Sequence, residues 1–225
     1  MKTFLFKPLA ISVCAAALLA GSLTACVPLV LGGAMAGGTL VATDRRTSGA
    51  QLEDEGIELR GSSRLRTSLG ERGHVNLASY NRQVLLTGEV PTAQDKQLVE
   101  QVVSRVENVV SVVNELAVSG NSSLTQRSSD ALVTGRVKAQ LIDAPDLFAN
   151  AFKVVTERGT TYLMGRVTQR EADRATTVVR STSGVQKVVR IFDIISEEEL
   201  TRLLPAPAKP SSTDAKPAPN LSGSL

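Results

Sequence analysis

The chain has 225 residues, of which 42% are hydrophobic and 3% aromatic, and its formal net charge is +3. One histidine and two cysteines leave few side chains for acid–base or nucleophilic catalysis, so we expect no enzyme, no metal site and no cofactor. The positive charge alone would suggest a nucleic-acid partner, but the chain offers neither an aromatic platform nor a basic stripe.

The first 25 residues have the pattern of an export signal peptide. Lys2 and Lys7 precede an apolar stretch at 8–19 that is too short to span a bilayer well, and small residues follow it. The sequence "LTAC" at 23–26 resembles the bacterial lipoprotein box, which implies cleavage before Cys26. It also implies that several acyl chains, such as palmitate, are attached to Cys26, and several chains make a stable membrane anchor.

The residue after the lipoprotein box predicts the location of the protein. Val27, rather than Asp, follows the cysteine, and the enterobacterial sorting rule then implies the inner leaflet of the outer membrane, facing the periplasm. Two alternatives stay open: acylation at Cys14, and an uncleaved anchor, since residues 8–43 carry no charge. With Cys26 acylated, the mature chain has no free thiol and no disulfide.

An internal repeat with an offset of 76 or 77 residues fills the middle of the chain. The sequence "VLLTGEV" (84–90) corresponds to "TYLMGRV" (161–167), and "NVVSVV" (108–113) corresponds to "GVQKVV" (184–189). A repeat this regular is typical of two small domains of the same fold.

The repeat and the two chain ends divide the sequence into six segments. They are a signal peptide at 1–25, a lipidated tether at 26–49, a first domain at 50–118, a linker at 119–128, a second domain at 129–196 and a Pro-rich tail at 197–225. The tail is predicted to be disordered, because five of the nine prolines lie in it and little in it could pack.

Each repeat has the pattern helix, strand, strand, helix, strand. Asp54 in the first copy and Ser129 or Asp130 in the second are suitable residues to begin the first helix. Capping-box patterns at Thr92 and Thr168 predict the start of the second helix. Two helices on one face of a mixed three-stranded sheet give an α+β sandwich. Each unit of about 65–70 residues is near the lower limit for folding alone, so we expect the two to pack together.

The Gly-x-Val strand ends at Gly88 and Gly165, the capping box and the "GVxxVV" third strand resemble the BON domain, a bacterial periplasmic module often found in tandem. We interpret both glycines as structural residues that allow close backbone approach. Residues 43–195 as a whole resemble the dual BON-domain outer-membrane lipoproteins, a family associated with cell division and outer-membrane stress. The resemblance implies that the second domain binds anionic phospholipid of the phosphatidylglycerol type. It further implies enrichment at the division site and support of outer-membrane integrity.

The stretch "DALVTGRVKAQLI" (130–142) predicts a helix that is apolar on two sides. Val133, Val137 and Leu141 form one stripe, whereas Leu132 and Ile142 lie on the opposite side. In the resembled family this helix contacts the membrane, with a tryptophan near its start where this chain has Leu132. The resemblance therefore implies a phospholipid-binding set of Leu132, Val133, Gly135, Arg136, Lys138, Ala139 and Ile142.

The distribution of charge favours the same domain for membrane contact. Residues 129–195 hold 10 Lys and Arg against 7 Asp and Glu, whereas residues 50–118 hold 7 against 10. In the structural alternative, Leu132 and Ile142 pack against the first domain or the linker. In the functional alternative, the same helix docks on a β-barrel assembly component or a cell-wall remodelling protein.

Three aromatic or titratable residues have simpler interpretations. His74 is predicted to be an ordinary residue at the start of a strand. Phe152 is predicted to lie in the core, and Phe148 to extend the lipid-binding surface.

Overall fold

The computed structural model of the protein describes residues 44–203. The predictions for the signal peptide, for Cys26, for the tether up to residue 43 and for the tail beyond residue 203 lie outside the described residues. Between residues 44 and 203, no helix combines the length and the apolar character needed to cross a membrane.

Both repeats adopt the predicted order of elements. The first repeat consists of α1 (Ser48–Leu69), β1 (His74–Tyr80), β2 (Gln83–Val90), α2 (Ala93–Ser104), β3 (Ser111–Asn114) and β4 (Ala117–Val118). The second consists of α3 (Leu124–Asp143), a 3-10 turn (Ala149–Ala151), β5 (Phe152–Glu157), β6 (Thr160–Thr168), α4 (Gln169–Arg180) and β7 (Lys187–Ile195). A short helix, α5 (Glu197–Leu203), follows where the disordered tail was predicted to begin.

Each repeat forms one mixed sheet, so the predicted α+β class is confirmed. In the first repeat β1 runs antiparallel to β2, and both β3 and β4 run parallel to β2. In the second repeat β5 runs antiparallel to β6, and β7 runs parallel to β6. The third strand of the first repeat is interrupted at Glu115 and Leu116, where the Leu116 side chain is buried in the core.

The first helix of each repeat begins earlier than predicted. Thr47 caps α1 by accepting a hydrogen bond from the backbone N–H of Ala50 (3.1 Å), and Ser123 caps α3 by accepting one from Gln126 (3.2 Å). The N-terminal positions predicted at Asp54 and Asp130 were therefore wrong. The first turn of α3 lies inside the predicted linker, and α1 begins inside the predicted tether.

Asp54 and Asp130 instead hold the β-hairpin turns from inside their helices. Asp54 accepts hydrogen bonds from the backbone N–H groups of Asn81 (2.7 Å) and Arg82 (2.8 Å). Asp130 accepts the equivalent bonds from Arg158 (2.9 Å) and Gly159 (3.0 Å). All four turn residues have positive φ, as a type I′ hairpin requires, and three of them are not glycine. Each buried carboxylate therefore stabilises a turn in which an arginine, Arg82 or Arg158, must adopt a positive φ that arginine rarely adopts.

Three apolar clusters account for the packing. Each repeat has a core between its helices and one face of its sheet, and these cores include Val99 and Val103 in α2 and Ala175 and Val179 in α4. The third cluster contains only strand residues from both sheets: Ala78, Tyr80, Leu85, Tyr162, Met164 and Ile191. Because side chains alternate along a strand, the sheet faces turned away from the helices pack on each other. The predicted packing of the two units is thereby confirmed.

Gly88 and Gly165 lie where two backbone segments approach closely, as predicted. A Cβ atom on Gly88, which has φ of +107°, would lie 2.0 Å from the carbonyl oxygen of His74. A Cβ atom on Gly165 would lie 2.5 Å from the carbonyl oxygen of Ala151. No side chain larger than hydrogen fits either position without moving the backbone.

We expect Gly88→Ala to lower the free energy of unfolding by about 2–4 kcal/mol, because it combines an unfavourable φ with a backbone clash. Gly135→Ala is the matched control: it lies in α3 with nothing within 4 Å of the added Cβ atom. It should raise the free energy of unfolding by up to about 1 kcal/mol, since alanine favours the helix. Urea denaturation followed by circular dichroism measures both variants, and equal stabilities would contradict the assignment of Gly88.

Candidate lipid-contact site

Helix α3 has a buried side and an exposed apolar side. Val133, Val137 and Leu141 are buried in the core of the second repeat, as the helical pattern predicted. Leu132 is 63% exposed and Ile142 is 69% exposed, so neither packs against the first domain or the linker. The position of Val133 corrects the predicted lipid-binding set, because a side chain that is 4% exposed cannot reach a membrane surface.

The exposed apolar side runs the whole length of α3. Its residues recur at intervals of three or four positions and so share one face of the helix. We call this set the α3 stripe; it consists of Leu124, Ser128, Leu132, Gly135, Ala139 and Ile142. At 1.5 Å per residue, the stripe is about 27 Å long.

Leu124, 79% exposed, was missed from the sequence because the helix was predicted to begin five or six residues later. The Ser123-x-x-Gln126 pattern, a capping-box spacing, was the signal that could have revealed the true start. With Leu124 included, the stripe carries three large aliphatic side chains instead of two.

Two cations flank the α3 stripe, one on each side. At about 100° per residue, Arg136 lies to one side of Leu132 and Lys138 lies beyond Ile142 on the other. Both are exposed, and neither forms an ion pair or a side-chain hydrogen bond within residues 44–203. By contrast, Arg174 on the neighbouring helix pairs with Asp146 at 2.9 Å. The charges beside the stripe are therefore available to an anionic partner.

The equivalent helix of the first repeat is less suited to an anionic surface. Leu52 and Leu59 are exposed on one face of α1, but Glu55 lies between them on that face. Arg60, which follows Leu59 in α1, is already paired with Glu53 at 2.6 Å. The two repeats share a fold and differ in the chemistry of this face.

The two aromatic residues after α3 lie in different environments. Phe152 is buried and packs edge-on against Phe192, with 6.0 Å between ring centroids. Phe148 is about half exposed and lies 5.9 Å beneath the guanidinium carbon of Arg45. The prediction for Phe152 is confirmed. Phe148 lies near the C-terminal end of α3, and its contact with lipid stays a prediction.

The first residues of the described chain tie the two repeats together. The guanidinium of Arg45 donates two hydrogen bonds to Glu171 (2.6 and 2.7 Å), and both side chains are buried in the second repeat. The next residue, Arg46, pairs with Asp54 of the first repeat (2.7 Å) and lies over the ring of Tyr80 (4.2 Å). We call this pair the Arg45–Arg46 clasp. The sequence alone did not predict it, because the partner of Arg45 is 126 positions away.

Two buried carboxylates have lowered pKa values because hydrogen bonds outweigh their burial. Burial disfavours the ionised form of Asp54, but donors on Arg82 and Ser79 hold its pKa below the ordinary range. Burial also disfavours the ionised form of Glu171. The hydrogen bonds from the guanidinium of Arg45 outweigh this effect, so the pKa of Glu171 is lowered as well. Both carboxylates are therefore ionised near neutral pH.

Glu157 behaves in the opposite way at the junction of the two repeats. Burial raises its pKa, and the nearby carboxylates of Glu89 and Asp130 raise it further. The amide of Asn76 donates a hydrogen bond to Glu157 (2.7 Å), which only partly offsets these effects.

His74 begins β1, as predicted, and its ring lies 3.3 Å from the amide nitrogen of Asn76. Its pKa is lowered by burial and by the charge of Arg127, with Glu89 acting in the opposite direction. Among residues 44–203, no group of three or more His, Cys, Asp or Glu side chains is arranged to hold a metal ion.

Comparison with known proteins identifies the two repeats. The BON domain family profile matches residues 54–120 and 129–194, which are the two repeats described above. Outer membrane lipoprotein DolP of Haemophilus influenzae is 38% identical over 172 residues, covering 76% of this chain and 89% of that protein. The 21 kDa hemolysin of Actinobacillus pleuropneumoniae is 30% identical over 154 residues, covering 68% of this chain and 79% of that protein.

We expect Glu157→Gln to raise the free energy of unfolding at neutral pH. The folded-state pKa of Glu157 is raised, so its ionised form destabilises the fold at every pH above that pKa. The gain should disappear below the unfolded-state pKa of about 4.3, where both states are protonated. Urea denaturation at neutral and acidic pH measures the effect.

Glu171→Gln is the control for that measurement and should have the opposite sign. The lowered pKa of Glu171 means that its ionised form stabilises the fold above the unfolded-state pKa, and this contribution is lost as the pH falls through the lowered value. Breaking its buried pair with Arg45 should cost about 3 kcal/mol at neutral pH, and the difference should narrow in acid. A loss of stability in both variants at neutral pH would contradict the raised pKa of Glu157.

Proposed function

This chain belongs to the BON domain family, with two copies of the domain, and from that premise we propose that it is an outer-membrane lipoprotein that binds anionic phospholipid through α3. It acts as a binding protein and not as an enzyme. The observation that carries the proposal is the exposed α3 stripe, flanked on each side by a cation that has no ion-pair partner within residues 44–203. The export signal, the lipoprotein box at Cys26 and the similarity to a protein named outer membrane lipoprotein support the location.

The chemistry of the α3 stripe matches the boundary between headgroups and acyl chains. Leu124, Leu132 and Ile142 have aliphatic side chains of the right length for shallow insertion, and partial burial of the three contributes about 2–4 kcal/mol. Arg136 and Lys138 then lie at headgroup depth, where each contributes about 1 kcal/mol next to an anionic surface. The face is weakly hydrophobic and has a basic residue on each side. It therefore favours anionic over zwitterionic membranes.

These contributions describe a weak contact that depends on the anchor. A sum of about 4–6 kcal/mol corresponds to a dissociation constant between roughly 1 mM and 0.05 mM. Leu132, which replaces the tryptophan of the resembled family, keeps the apolar contact without the interfacial preference of an aromatic ring. Acyl chains on Cys26 raise the local concentration of α3 at the same membrane, so a weak contact suffices.

In the cell, the proposed contact places the second domain on the inner leaflet of the outer membrane, on the periplasmic side. There the protein supports outer-membrane integrity and is enriched at the division site. If α3 instead docks on a β-barrel assembly component or a cell-wall remodelling protein, the purified protein will not bind vesicles of pure lipid.

Leu132→Glu should abolish binding to vesicles that contain phosphatidylglycerol and leave the fold intact, because the side chain is exposed. The measurement is co-sedimentation of the non-acylated protein (Cys26→Ser, without the signal peptide) with phosphatidylglycerol-containing or pure phosphatidylcholine vesicles. Leu59→Glu is the matched control, since Leu59 is 67% exposed on the equivalent helix of the first repeat. Equal losses in the two variants would refute a specific role for α3.

The double variant Arg136→Gln and Lys138→Gln should weaken binding to phosphatidylglycerol vesicles about 30-fold at low salt, as expected for the loss of about 2 kcal/mol. The difference should shrink at high salt, where screening removes the same contribution from the wild type. Removal of two exposed charges from α4, by Arg170→Gln and Arg174→Gln, controls for net charge. Binding that depends only on net charge would weaken equally in both double variants.

A further inference from the structure

We infer that helix α1 of one molecule docks on helix α3 of a second copy of this chain. This contact is separate from the proposed contact with lipid and uses another surface of the molecule, the outer face of α1. Clustered exposed aliphatic side chains are typical of interaction sites. Both helices carry such side chains, and the charges beside them have opposite sign on the two helices.

The outer face of α1 has an acidic residue between two exposed leucines. Leu52 is 70% exposed and Leu59 is 67% exposed. At 3.6 residues per turn, Glu55 lies within about 60° of both leucines around the helix axis. Glu55 is exposed and forms no ion pair or side-chain hydrogen bond within residues 44–203. We call Leu52, Glu55 and Leu59 the α1 face. A partner that matches this face offers aliphatic side chains and a cation together.

The α3 stripe and its flanking cations have this combination. Leu132 and Ile142 are exposed, and neither Arg136 nor Lys138 has an ion-pair partner within the described part of the chain. The complementarity extends beyond these residues, because residues 50–118 carry a net charge of −3 and residues 129–195 one of +3. The first repeat of one molecule therefore attracts the second repeat of another, and such attraction guides association and selects the partner.

The positions of the charges along the two helices favour an antiparallel pair. Glu55 lies about four residues before the middle of α1, whereas Arg136 and Lys138 lie about three to five residues after the middle of α3. With the two middles aligned, only the antiparallel orientation places Glu55 opposite the cations. In a parallel pair Glu55 would lie about six residues, or about 9 Å, from Arg136. The antiparallel alignment also pairs the aliphatic residues of the two faces: Leu59 with Leu132, and Leu52 with Ile142.

The contact forms between molecules and leads to open association. Helices α1 and α3 lie on the sheet faces that point away from the junction of the two repeats, so the α1 face cannot reach α3 of its own molecule. The two surfaces differ, and a molecule that uses one of them keeps the other free. Association through two different surfaces grows head to tail instead of closing as a symmetric pair.

A single pair of helices makes a weak contact. Interfaces that bury less than about 1,200 Å² are typical of transient complexes, and one helix pair belongs to this class. Molecules held on one membrane by acylated Cys26 have a high local concentration, which populates such a contact. A docked α1 covers the α3 stripe, so a neighbouring molecule and the membrane compete for α3. Crowding of the protein on its membrane then limits how many copies contact lipid.

Two charge-reversed variants test the contact in the absence of lipid. Glu55→Lys makes both surfaces basic, whereas Arg136→Glu combined with Lys138→Glu makes both surfaces acidic. Each variant should therefore repel its own copies. An equimolar mixture restores attraction at every contact, because each basic surface then meets an acidic one on the other variant. All three substituted side chains are exposed, so both variants should fold, and circular dichroism checks this.

The measurement is sedimentation velocity of the full mature chain with Cys26→Ser, at low salt and up to about 1 mM protein, a range that detects weak association. We expect the average sedimentation coefficient of the wild type to rise with concentration past the value of a dimer. Each variant alone should associate at least about tenfold more weakly, and the mixture should recover the behaviour of the wild type. Glu107→Lys reverses an exposed charge between α2 and β3 and should associate like the wild type.

Three results would overturn the inference. They are a wild type that stays monomeric over this range, a wild type whose association stops at a dimer, and a mixture that associates no more than its two components. None of them bears on the proposed function, because no lipid is present. The contact with lipid is tested separately by Leu132→Glu at low protein concentration, where the contact between molecules is not populated.

Discussion

The packing of one sheet against the other is the constraint on which the rest of the structure depends. A repeat of about 65–70 residues buries too little surface to be robust alone, and one face of each sheet is covered by its own helices. The opposite faces meet through Tyr80, Leu85, Tyr162 and Met164. Within residues 44–203, this arrangement leaves helices α1 to α4 on the sheet faces that point away from the junction. Helix α3 can therefore bury one side in its own core and leave the other free.

Several partly or fully buried polar groups at the junction are paired with partners from the other repeat or from the clasp. Lys153 in the second repeat donates hydrogen bonds to Glu58 and to the backbone of Ser79 in the first. The hydroxyl of Tyr80 accepts a bond from the backbone N–H of Arg166 (3.3 Å). Breaking any one of these leaves a desolvated group without its partner, which is why such networks fix one arrangement of the two repeats. The clasp extends this network to the first residues that the structure describes.

The features that the sequence predicted are those decided by near neighbours. The Thr168 capping box and the buried stripe of α3 depend on residues a few positions apart. Asp54 and Asp130 were misread because aspartate is also a common N-cap, and their true partners lie more than 25 positions downstream. Leu124 was lost with the same misplaced helix start, and Val133 entered the lipid-binding set by family correspondence although its side chain belongs to the core.

The difference between the two first helices follows from how each repeat uses its charges. In α1, Glu58 is committed to Lys153 of the other repeat, and Arg60 is committed to Glu53. In α3, Arg136 and Lys138 form no ion pair within the described part of the chain, because the second repeat meets the first through its strands. In a duplicated fold, the charged residues of one copy can form structural ion pairs, whereas the same surface of the other copy stays accessible to a ligand. On α3, exposed aliphatic residues lie beside cations that have no partner within residues 44–203, and this combination supports the proposed contact with an anionic lipid surface.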